Sequence, residues 1–301
     1  MKSTENTLIS WIGKIAAYVV MVLFTIMTVY PVIWLFINSF KTTAAYQLDR
    51  IGLPKDWILS NYSGAWELGS FDKLIGNSIL YTLVAAAGAI FFSVLAAFAF
   101  AKLKSRATGP IYGSFVLGIL LSITSLMVPL FLEVSQFDKL LGDLFQSFGW
   151  MKSQDFHLFY NTRFGIILIY IGSSLPMSVF LCTEYVKSVP DSLVEAARID
   201  GAGFFQIFWR IILPMSAPIA TTVAVITVPN LWNEFALINI IVSDTDLKSL
   251  PLGILRFSGS MSTDYGKQFA ALVIGLAPML IFYIAFRKQI TKGVSGGAVK
   301  G

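Results

Sequence analysis

The amino-acid sequence predicts an all-α integral membrane protein with six transmembrane helices. Of its 301 residues, 56% are hydrophobic and only 13% are charged, whereas about a quarter of the residues in soluble domains are charged. The apolar residues also gather into long runs, and a helix needs about 20 predominantly apolar residues to cross a bilayer. We therefore expect a single transmembrane domain that extends over residues 1–301 and contacts membrane lipid.

The apolar runs set the expected spans and the connections between them. We place the spans at about 12–38, 76–101, 111–132, 164–184, 214–242 and 268–287. The long connections at 41–73, 133–163 and 243–267 are expected on the extracytoplasmic side. Within 133–163, apolar residues recur at helical spacing from Leu140 to Phe148. This spacing predicts either a short amphipathic helix at the outer surface or an extension of the third span.

Basic residues predict how the spans are oriented. Lys102, Lys104 and Arg106 follow the second run with no acid between them, and the tail after Phe286 is basic without any acid. Cytoplasmic segments near span ends carry an excess of Lys and Arg, so we expect both termini in the cytoplasm. Because the first run is followed by no small-residue cleavage site, we expect it to be retained as a span.

The composition leaves no credible set of catalytic residues. One Cys and one His cannot build a metal cluster, and the sequence contains no G-x-x-x-x-G-K-[ST] phosphate-binding loop. A basic run interleaved with aromatic residues is also missing, which argues against a nucleic-acid partner. We therefore expect a transport function, with no metal or cofactor bound by this chain.

The polar segment 190–214, between the fourth and fifth runs, predicts a short helix held by another protein. Ser192 and Glu195 have the spacing of a capping box, and Gly201 should end a helix over Leu193–Ile199. Such a two-turn helix is marginal by itself. It should expose Glu195 together with Arg198 and Asp200.

The rest of this segment offers an apolar surface and a second helix. Leu193, Ala196 and Ala197 should form a small flat face on the first helix. After Gly203, a second helix is expected over Phe204–Ile211, ahead of Pro214.

Polar residues interrupt the fifth run at a depth where charge is costly. These residues are Asn230, Trp232, Asn233 and Glu234. An acid within a span normally faces a cavity or a partner, and an aromatic face beside an amide suits a sugar ring. Two roles remain open: lining of a translocation path or its gate, and a polar contact with another membrane subunit.

Several motifs carry a family resemblance. Glu195-Ala196-Ala197, Gly201, Ile211 and Leu213-Pro214 match the E-A-A-x3-G-x9-I-x-L-P pattern of the EAA loop of ABC importer permeases. The W-N-E-F string from Trp232 is similar to the family's fifth helix, and the end of the chain is similar to the closing G-x-x-x-G-A-V-K-G of carbohydrate-type permeases. The chain resembles a MalG-like permease subunit of a bacterial carbohydrate uptake ABC importer, in the cytoplasmic (inner) membrane.

This resemblance implies partners and a role for each motif. It implies a heterodimer with a second homologous permease, two ATPase subunits that bind ATP and Mg, and an extracytoplasmic solute-binding protein that delivers a sugar. Residues implied to couple to the ATPase are Glu195, Ala196, Ala197, Arg198, Asp200, Gly201, Leu213 and Pro214. Residues implied to contact the binding protein are Leu252, Gly253, Gly259 and Ser260, and Gly297 and Lys300 in the tail are implied to lie against the ATPases.

One departure from the family leaves alternatives open. The connection 133–163 is longer and more polar than the family pattern, which bears on the substrate class and on the binding-protein contact. A permease for a solute other than a sugar is one alternative. A stand-alone secondary transporter is another, although it predicts paired inverted repeats and more buried ionisable residues.

Overall fold

The computed structural model describes residues 2–103, 105–149, 152, 156–259 and 264–298. Its regular structure is helical, with no strand among these residues, which confirms the all-α fold class. The helices are α1 (Lys2–Asn38), α2 (Thr43–Leu48), α3 (Ser60–Gly69), α4 (Phe71–Lys102), α5 (Thr108–Ile119), α6 (Ile123–Ser147), α7 (Arg163–Lys187), α8 (Asp191–Ile199), α9 (Phe204–Ile207), α10 (Leu213–Met215), α11 (Ala217–Trp232), α12 (Ala236–Ile241), α13 (Leu250–Gly259) and α14 (Tyr265–Ala298). A π-helical turn, Phe208–Ile212, joins α9 to α10, and a 3-10 turn, Thr245–Leu247, precedes α13.

The chain divides into two compact units. One unit consists of Met1–Ser70 and Ile254–Pro278, and the other consists of Phe71–Gly253 and Met279–Gly301. The second unit contains the segment 190–214 and the polar residues of the fifth run.

Helices α4 and α7 pack along each other in the second unit and run in the same direction. At the N-terminal ends of the two helices, the Arg163 guanidinium donates to Asn77 Oδ1 at 3.4 Å. At their C-terminal ends, the Lys102 ammonium donates to the carbonyl of Val189, just beyond α7. Because both helices begin at one end of the unit and finish at the other, the chain between them must travel back. Helices α5 and α6 make this return.

The predicted third span, 111–132, is divided between these two helices. Helices α5 and α6 meet at residues 120–122 with a bend of 112°. The N–H groups of Leu120 and Leu121 bond three residues back, so a tight turn ends α5, and Pro129 lies inside α6 rather than at the bend. Helix α6 then continues to Ser147. The amphipathic residues after Leu140 therefore extend α6, which is the second of the two sequence alternatives.

The predicted fifth span, 214–242, is interrupted twice. The helical stretch Phe204–Met215 meets α11 at Ser216 with a bend of 67°. Helix α11 ends at Trp232, and α12 begins at Ala236 and packs against α6. Residues 233–235 form the break between α11 and α12, where Asn233 and Glu234 lie.

Within the described residues, four helices are individually long and apolar enough to cross a membrane. They are Gly13–Asn38, Phe71–Lys102, Arg163–Lys187 and Tyr265–Gln289. Each of the two bent helix pairs reaches the same criterion only as a pair, which gives up to six spans. Helix α14 continues to Ala298, beyond the expected end of the sixth span near residue 287.

Two apolar clusters fill the second unit. The cluster near Lys102 contains Val94, Ala97, Phe98, Cys182, Val186, Val189, Val194, Ile207, Phe208, Ile212 and Val223. The cluster toward the other end contains Tyr81, Ala85, Ala86, Met127, Ile166, Tyr170, Val228, Leu231, Leu237, Ile238, Ile241, Val242 and Leu252. Because lipid tails are as apolar as these side chains, close packing rather than exclusion of water holds such helices together in a bilayer.

The first unit is organised by buried polar side chains that follow α1. The Asn61 amide donates to the carbonyls of Ser39 and Lys41 at 2.8 and 2.9 Å. The Lys41 side chain is itself buried, and its ammonium donates to the Asp49 carbonyl at 2.7 Å. The stretch 41–73, expected as an extracytoplasmic connection, thus contains α2 and α3 in an ordered arrangement.

Candidate functional site

The segment 190–214 begins with α8, which starts earlier than the sequence predicts. Helix α8 begins at Asp191 with Pro190 as its N-cap, and no side chain among the described residues caps its first turn. Ser192 is therefore inside the helix, and the predicted capping box with Glu195 does not form. The Pro190 backbone is extended at ψ 131°, and its carbonyl accepts a hydrogen bond from the Leu193 N–H at 3.2 Å, so the helix starts directly after the proline.

The C-terminus of α8 is closed as the glycine pattern predicts. Gly201 has φ +81°, a left-handed conformation that favours glycine. The Gly201 N–H donates to the Arg198 carbonyl at 3.0 Å, and the Ala202 N–H donates to the Ala197 carbonyl at 2.9 Å. These two bonds form a Schellman motif, which stops α8 at a defined residue.

The faces of α8 differ in part from the prediction. Val194 is buried and Ala197 half-buried against the cluster near Lys102. Glu195, Arg198 and Asp200 are exposed, as expected. The prediction of a flat face at Leu193, Ala196 and Ala197 is wrong for Ala197, because helical spacing places it beside Val194. The exposed apolar side chains are Leu193 and Ala196, as predicted, and in addition Ile199; Leu193 is 41% exposed and Ile199 86% exposed.

The second helix of the segment continues through a widened turn. Its start is fixed by the Gln206 side chain, which accepts a hydrogen bond from the Gly203 N–H at 2.9 Å. Helix α9 leads through the π-helical turn to Leu213, which is half-buried, and to the exposed Pro214. The predicted end at Ile211 is therefore too early. Pro214 has no N–H to donate, and the widened turn lies directly before it.

A contact that the sequence did not predict fixes the start of α8. The Lys102 side chain, at the end of α4, is 3% exposed, and its ammonium lies 2.6 Å from the Asp191 carboxylate. It also donates to the Val189 carbonyl. The sequence offered only one signal, a lysine at the end of an apolar run, which we interpreted as a marker of topology.

A cavity of about 370 Å³ lies between α6, α7, α11 and α12. Its polar lining residues are Ser173, Ser174, Ser178, Thr227, Asn230 and Glu234, and its apolar lining residues are Ile123, Met177, Leu181, Val223, Ile226, Leu231 and Leu237. Hydroxyl, amide and carboxylate groups on an otherwise apolar wall are typical of a site for a small polar solute.

Glu234 is held in place by two helices. The Tyr170 hydroxyl of α7 lies 2.9 Å from one Glu234 carboxylate oxygen. The N–H groups of Leu237 and Ile238, in the first turn of α12, donate to the same carboxylate at 2.7 and 3.4 Å. The carboxylate therefore fixes the start of α12 against α7 while it also faces the cavity.

The other polar residues of the fifth run are divided between different surroundings. Asn230 lines the cavity with Glu234. Trp232 is 7% exposed and Asn233 is exposed, and neither belongs to the cavity lining in the described part of the chain. The Asn233 amide donates to the Pro229 carbonyl at 3.0 Å. The sequence therefore identified two of the lining residues, and the placement of Trp232 does not support stacking on a sugar in this cavity.

Side chains of α4 bind residues 243–250. Asn77 donates to the carbonyls of Asp246 and Lys248 at 2.7 and 3.1 Å. The Tyr81 hydroxyl donates to the Leu247 carbonyl at 2.9 Å. Together with α12, these contacts give the fifth run an ordered connection to α13.

Helix α13 occupies the connection predicted to contact a binding protein. Leu252 and Gly253 are buried within this chain, and a side chain at Gly253 would collide with Leu74 of α4. This placement does not support their predicted contact with a partner. Gly259 is the last residue of α13, and Ser260 lies outside the described residues.

A second group that the sequence did not predict organises the loop before α7. Asp138 of α6 is 3% exposed, and its carboxylate accepts hydrogen bonds from the N–H groups of Leu158, Phe159 and Tyr160 at 2.7–3.2 Å. Asn161, at φ +56°, then accepts from the N–H groups of Ser243 and Asp244. The loop before α7 is thereby fixed both to α6 and to the chain after α12. In the sequence, the one signal for this loop is Asn161 itself, because Asn tolerates a positive φ better than most residues do.

Of the two tail residues predicted to contact the ATPases, only Gly297 lies within the described residues. Gly297 belongs to the last turn of α14, and Lys300 lies outside the described residues. Among the described residues, no group of three or more His, Cys, Asp or Glu side chains is placed to hold a metal ion.

Comparisons with known proteins show which family this chain belongs to. Residues 89–295 match the family described as binding-protein-dependent transport system inner membrane component. The chain is 30% identical to the probable ABC transporter permease protein YurM of Bacillus subtilis, over 97% of this chain and 90% of the relative. It is 29% identical to the diacetylchitobiose uptake system permease protein NgcG of Streptomyces coelicolor, over 94% and 88%. It is 30% identical over the full length of both chains to the multiple sugar-binding transport system permease protein MsmG of Streptococcus mutans.

Proposed function

Because this chain belongs to the family of binding-protein-dependent transport system inner membrane components, we propose that a sugar or oligosaccharide is the solute that it carries into a bacterial cell. The chain is a multi-pass membrane permease of an ABC importer. Its similarity to NgcG and MsmG, which are named for the uptake of diacetylchitobiose and of multiple sugars, supports a carbohydrate solute. So does the cavity, whose hydroxyl and amide groups match the hydroxyl groups of a sugar.

The exposed face of α8 carries the proposal that a separate ATPase drives this transport. Ile199 is 86% exposed and Leu193 41% exposed, and they lie beside the charged residues Glu195 and Arg198. A nine-residue helix that buries essentially Val194 alone gains little from its own chain. The Schellman motif and the Lys102 contact nevertheless hold it in a defined position. A rigid helix with an unused mixed face suits docking in a groove of a partner.

Helix direction and charge support a cytoplasmic position for α8. Helices α4 and α7 run in parallel, so α8 lies at the end of the unit where Lys102 and Arg106 also lie. Since cytoplasmic loops are enriched in basic residues, this end is cytoplasmic in our proposal. In this arrangement, α8 and the connections at the opposite end of the unit lie on opposite sides of the membrane. Both termini of the chain are then cytoplasmic.

The proposed assembly contains this chain, a second homologous permease, two ATPase subunits that bind ATP and Mg, and an extracytoplasmic solute-binding protein. Residues 13–33 of α1 are exposed on every side. An apolar helix of this kind is suited to contact lipid and a second membrane subunit. Gly259 and Ser260 remain candidates for the binding-protein contact, and Gly297 and Lys300 remain candidates for a contact with the ATPases.

Asn230 and Glu234 are the residues that we propose to line the translocation path. Both face the cavity, Asn230 from α11 and Glu234 from the break at 233–235. Trp232 and Asn233 belong to the same break and are proposed to support its shape rather than to touch the solute. A non-sugar solute is the second candidate, because the Glu234 carboxylate in the cavity wall would also suit a solute with a donor group other than a sugar hydroxyl.

A combined purification and uptake experiment tests the proposal. The tagged chain, expressed from its own genomic context, should co-purify with a second permease and an ATPase that hydrolyses ATP. A strain that lacks the chain should lose uptake of one carbohydrate in a panel of radiolabelled mono- and oligosaccharides, and the intact chain should restore it. A complex that contains no ATPase would reject the ATP-driven importer. Normal uptake of every sugar, with loss of an amino acid or peptide, would reject the carbohydrate assignment alone.

A further inference from the structure

Lys102 is a buried cation at the junction of two structural elements. It is the last residue of α4, and its side chain is only 3% exposed. Lysine is almost never fully buried unless it is paired, so this burial requires a specific arrangement. The arrangement is a pair of contacts beyond α7, to the Val189 carbonyl and to the Asp191 carboxylate at 2.6 Å.

These two contacts meet the chain on either side of Pro190, where α8 starts. Val189 is 5% exposed, and its carbonyl would lose this hydrogen bond without the lysine. Asp191 is the first residue of α8, and its side chain is 75% exposed. Because no side chain in the described part of the chain caps α8, the Lys102 contacts fix the position at which the helix begins.

The packing around Lys102 shows what it connects. Val94, Ala97 and Phe98 of α4 share one apolar cluster with Val194 of α8. Apolar packing alone leaves a short helix free to rotate or slide, because dispersion contacts are individually weak and not directional. A charge-assisted hydrogen bond is directional and stronger. Lys102 therefore adds the directional contact between α4 and α8.

We propose that Lys102 is a positioning residue that makes α8 move together with α4, so that a displacement imposed on α8 reaches the membrane-spanning helices. This inference rests on the proposed function, in which an ATPase holds α8. Without the lysine contacts, α8 yields at its first turn when the ATPase moves it, and the motion is lost before it reaches α4.

A distance measurement in the assembled importer tests this role. Spin labels are placed at Ser192 of α8, which is exposed and lies outside the proposed docking residues, and at Leu83 of α4, which is 58% exposed, with the buried Cys182 replaced by alanine. The distance is measured in liposomes by double electron–electron resonance, without nucleotide and after trapping with ATP and vanadate. The intact chain should give one narrow distance that is the same in both states. In Lys102→Met, the distribution should broaden and shift by several ångströms on trapping, while the ATPases still hydrolyse ATP.

Matched variants separate positioning from folding. Lys102→Arg should keep the narrow distance, and Lys187→Met should do so as well, because Lys187 is half-exposed and pairs with Glu184 at the surface. If Lys102→Met does not assemble, Asp191→Asn carries the test, since it removes the ion pair and leaves the Val189 contact. The proposal would be overturned if the assembled variant, Lys102→Met or Asp191→Asn, gave the same distance distribution as the intact chain. It would also be overturned if the distance in the intact chain shifted on trapping. Loss of all ATPase from the purified complex would instead reject the proposed function.

Discussion

The Tyr170 hydroxyl lies 2.9 Å from the Glu234 carboxylate and donates a hydrogen bond to it. This contact joins α7 to the break between α11 and α12, at the wall of the cavity. The same carboxylate accepts N–H groups from the first turn of α12, so one side chain fixes both the cavity wall and the helix beside it. Glu234 is half-buried, and both of its carboxylate oxygens accept hydrogen bonds, which lowers the cost of placing an acid at this depth in a membrane.

Replacing Glu234 by alanine should reduce uptake more strongly than assembly. The change leaves the Tyr170 hydroxyl and two N–H groups without their acceptor, at a cost of about 1–3 kcal/mol for each buried group left unpaired. Uptake per assembled complex should fall, and Tyr170→Phe should have a smaller effect, because it removes one bond only. Glu184→Ala is the control, since that acid is half-exposed and pairs with Lys187. If the amount of complex falls and uptake per complex does not, the carboxylate is structural and the cavity is not the path.

Gly201→Ala should impair coupling, whereas Gly203→Ala should be tolerated. A methyl group at either position has open space, so sterics do not distinguish the two changes. Gly201 has φ +81°, where a side chain costs about 1–2 kcal/mol, whereas Gly203 has φ −75° and an extended backbone. Uptake and ATP hydrolysis are measured together in vesicles, and the Gly201 variant should hydrolyse more ATP for each molecule transported. Equal behaviour of the two variants would show that the left-handed turn after α8 is unimportant.

Glu195→Lys should disrupt docking of α8 without unfolding the chain. Glu195 is exposed, so its replacement leaves the core intact, but a reversed charge against a complementary partner costs several kcal/mol. We expect uptake to fall by at least about tenfold, which corresponds to 1.4 kcal/mol. The amount of the chain in the membrane should stay constant. Glu67→Lys, at an exposed position in α3, provides the same charge reversal away from the proposed ATPase and should leave uptake unchanged; normal uptake in Glu195→Lys would contradict docking through α8.

Asp138→Asn should destabilise the protein, and Asp143→Asn in the same helix should not. The Asp138 carboxylate accepts three backbone N–H groups, and an amide presents a donor to some of them, so we expect a loss of about 1–3 kcal/mol. Asp143 is exposed, which makes it a matched control. The midpoint of thermal unfolding in detergent should fall for the first variant only. If the Asp138→Asn and Asp143→Asn variants unfold at the same temperature, the loop before α7 is held by other contacts.

The sequence predicted the fold class and the closure of α8 because both depend on local chemistry. Apolar runs of span length identify membrane helices regardless of how they pack, and Gly201 is favoured in the left-handed turn whatever its neighbours are. The exposed charges of α8 were also predicted from helical spacing. The predicted capping box failed because Pro190 allows the helix to begin before Ser192, so the same residues fit two helix starts.

The contacts between distant elements could not be predicted. Lys102 meets Asp191 across 89 positions of sequence, and Asp138 meets the loop at 158–160 from another helix. A charged residue at the end of an apolar run looks the same in the sequence whether it faces water or a buried carbonyl. The bend of 112° between α5 and α6 was missed for a similar reason, because the turn at Leu120, Leu121 and Ser122 lies inside a long apolar run and contains neither Gly nor Pro.

Cross-linking from α8 tests the central claim most directly. A single cysteine at Ile199, in the Cys182→Ala background, is labelled in inside-out membrane vesicles with a maleimide that carries a photoreactive benzophenone and is then irradiated; a cysteine at the exposed Asn239 of α12 serves as the control. We predict that Ile199→Cys is joined to the ATPase subunit and that Asn239→Cys is not. A cysteine at Ile199 that instead reacts with a membrane-impermeant maleimide added outside intact cells, without any product containing the ATPase, would contradict the account.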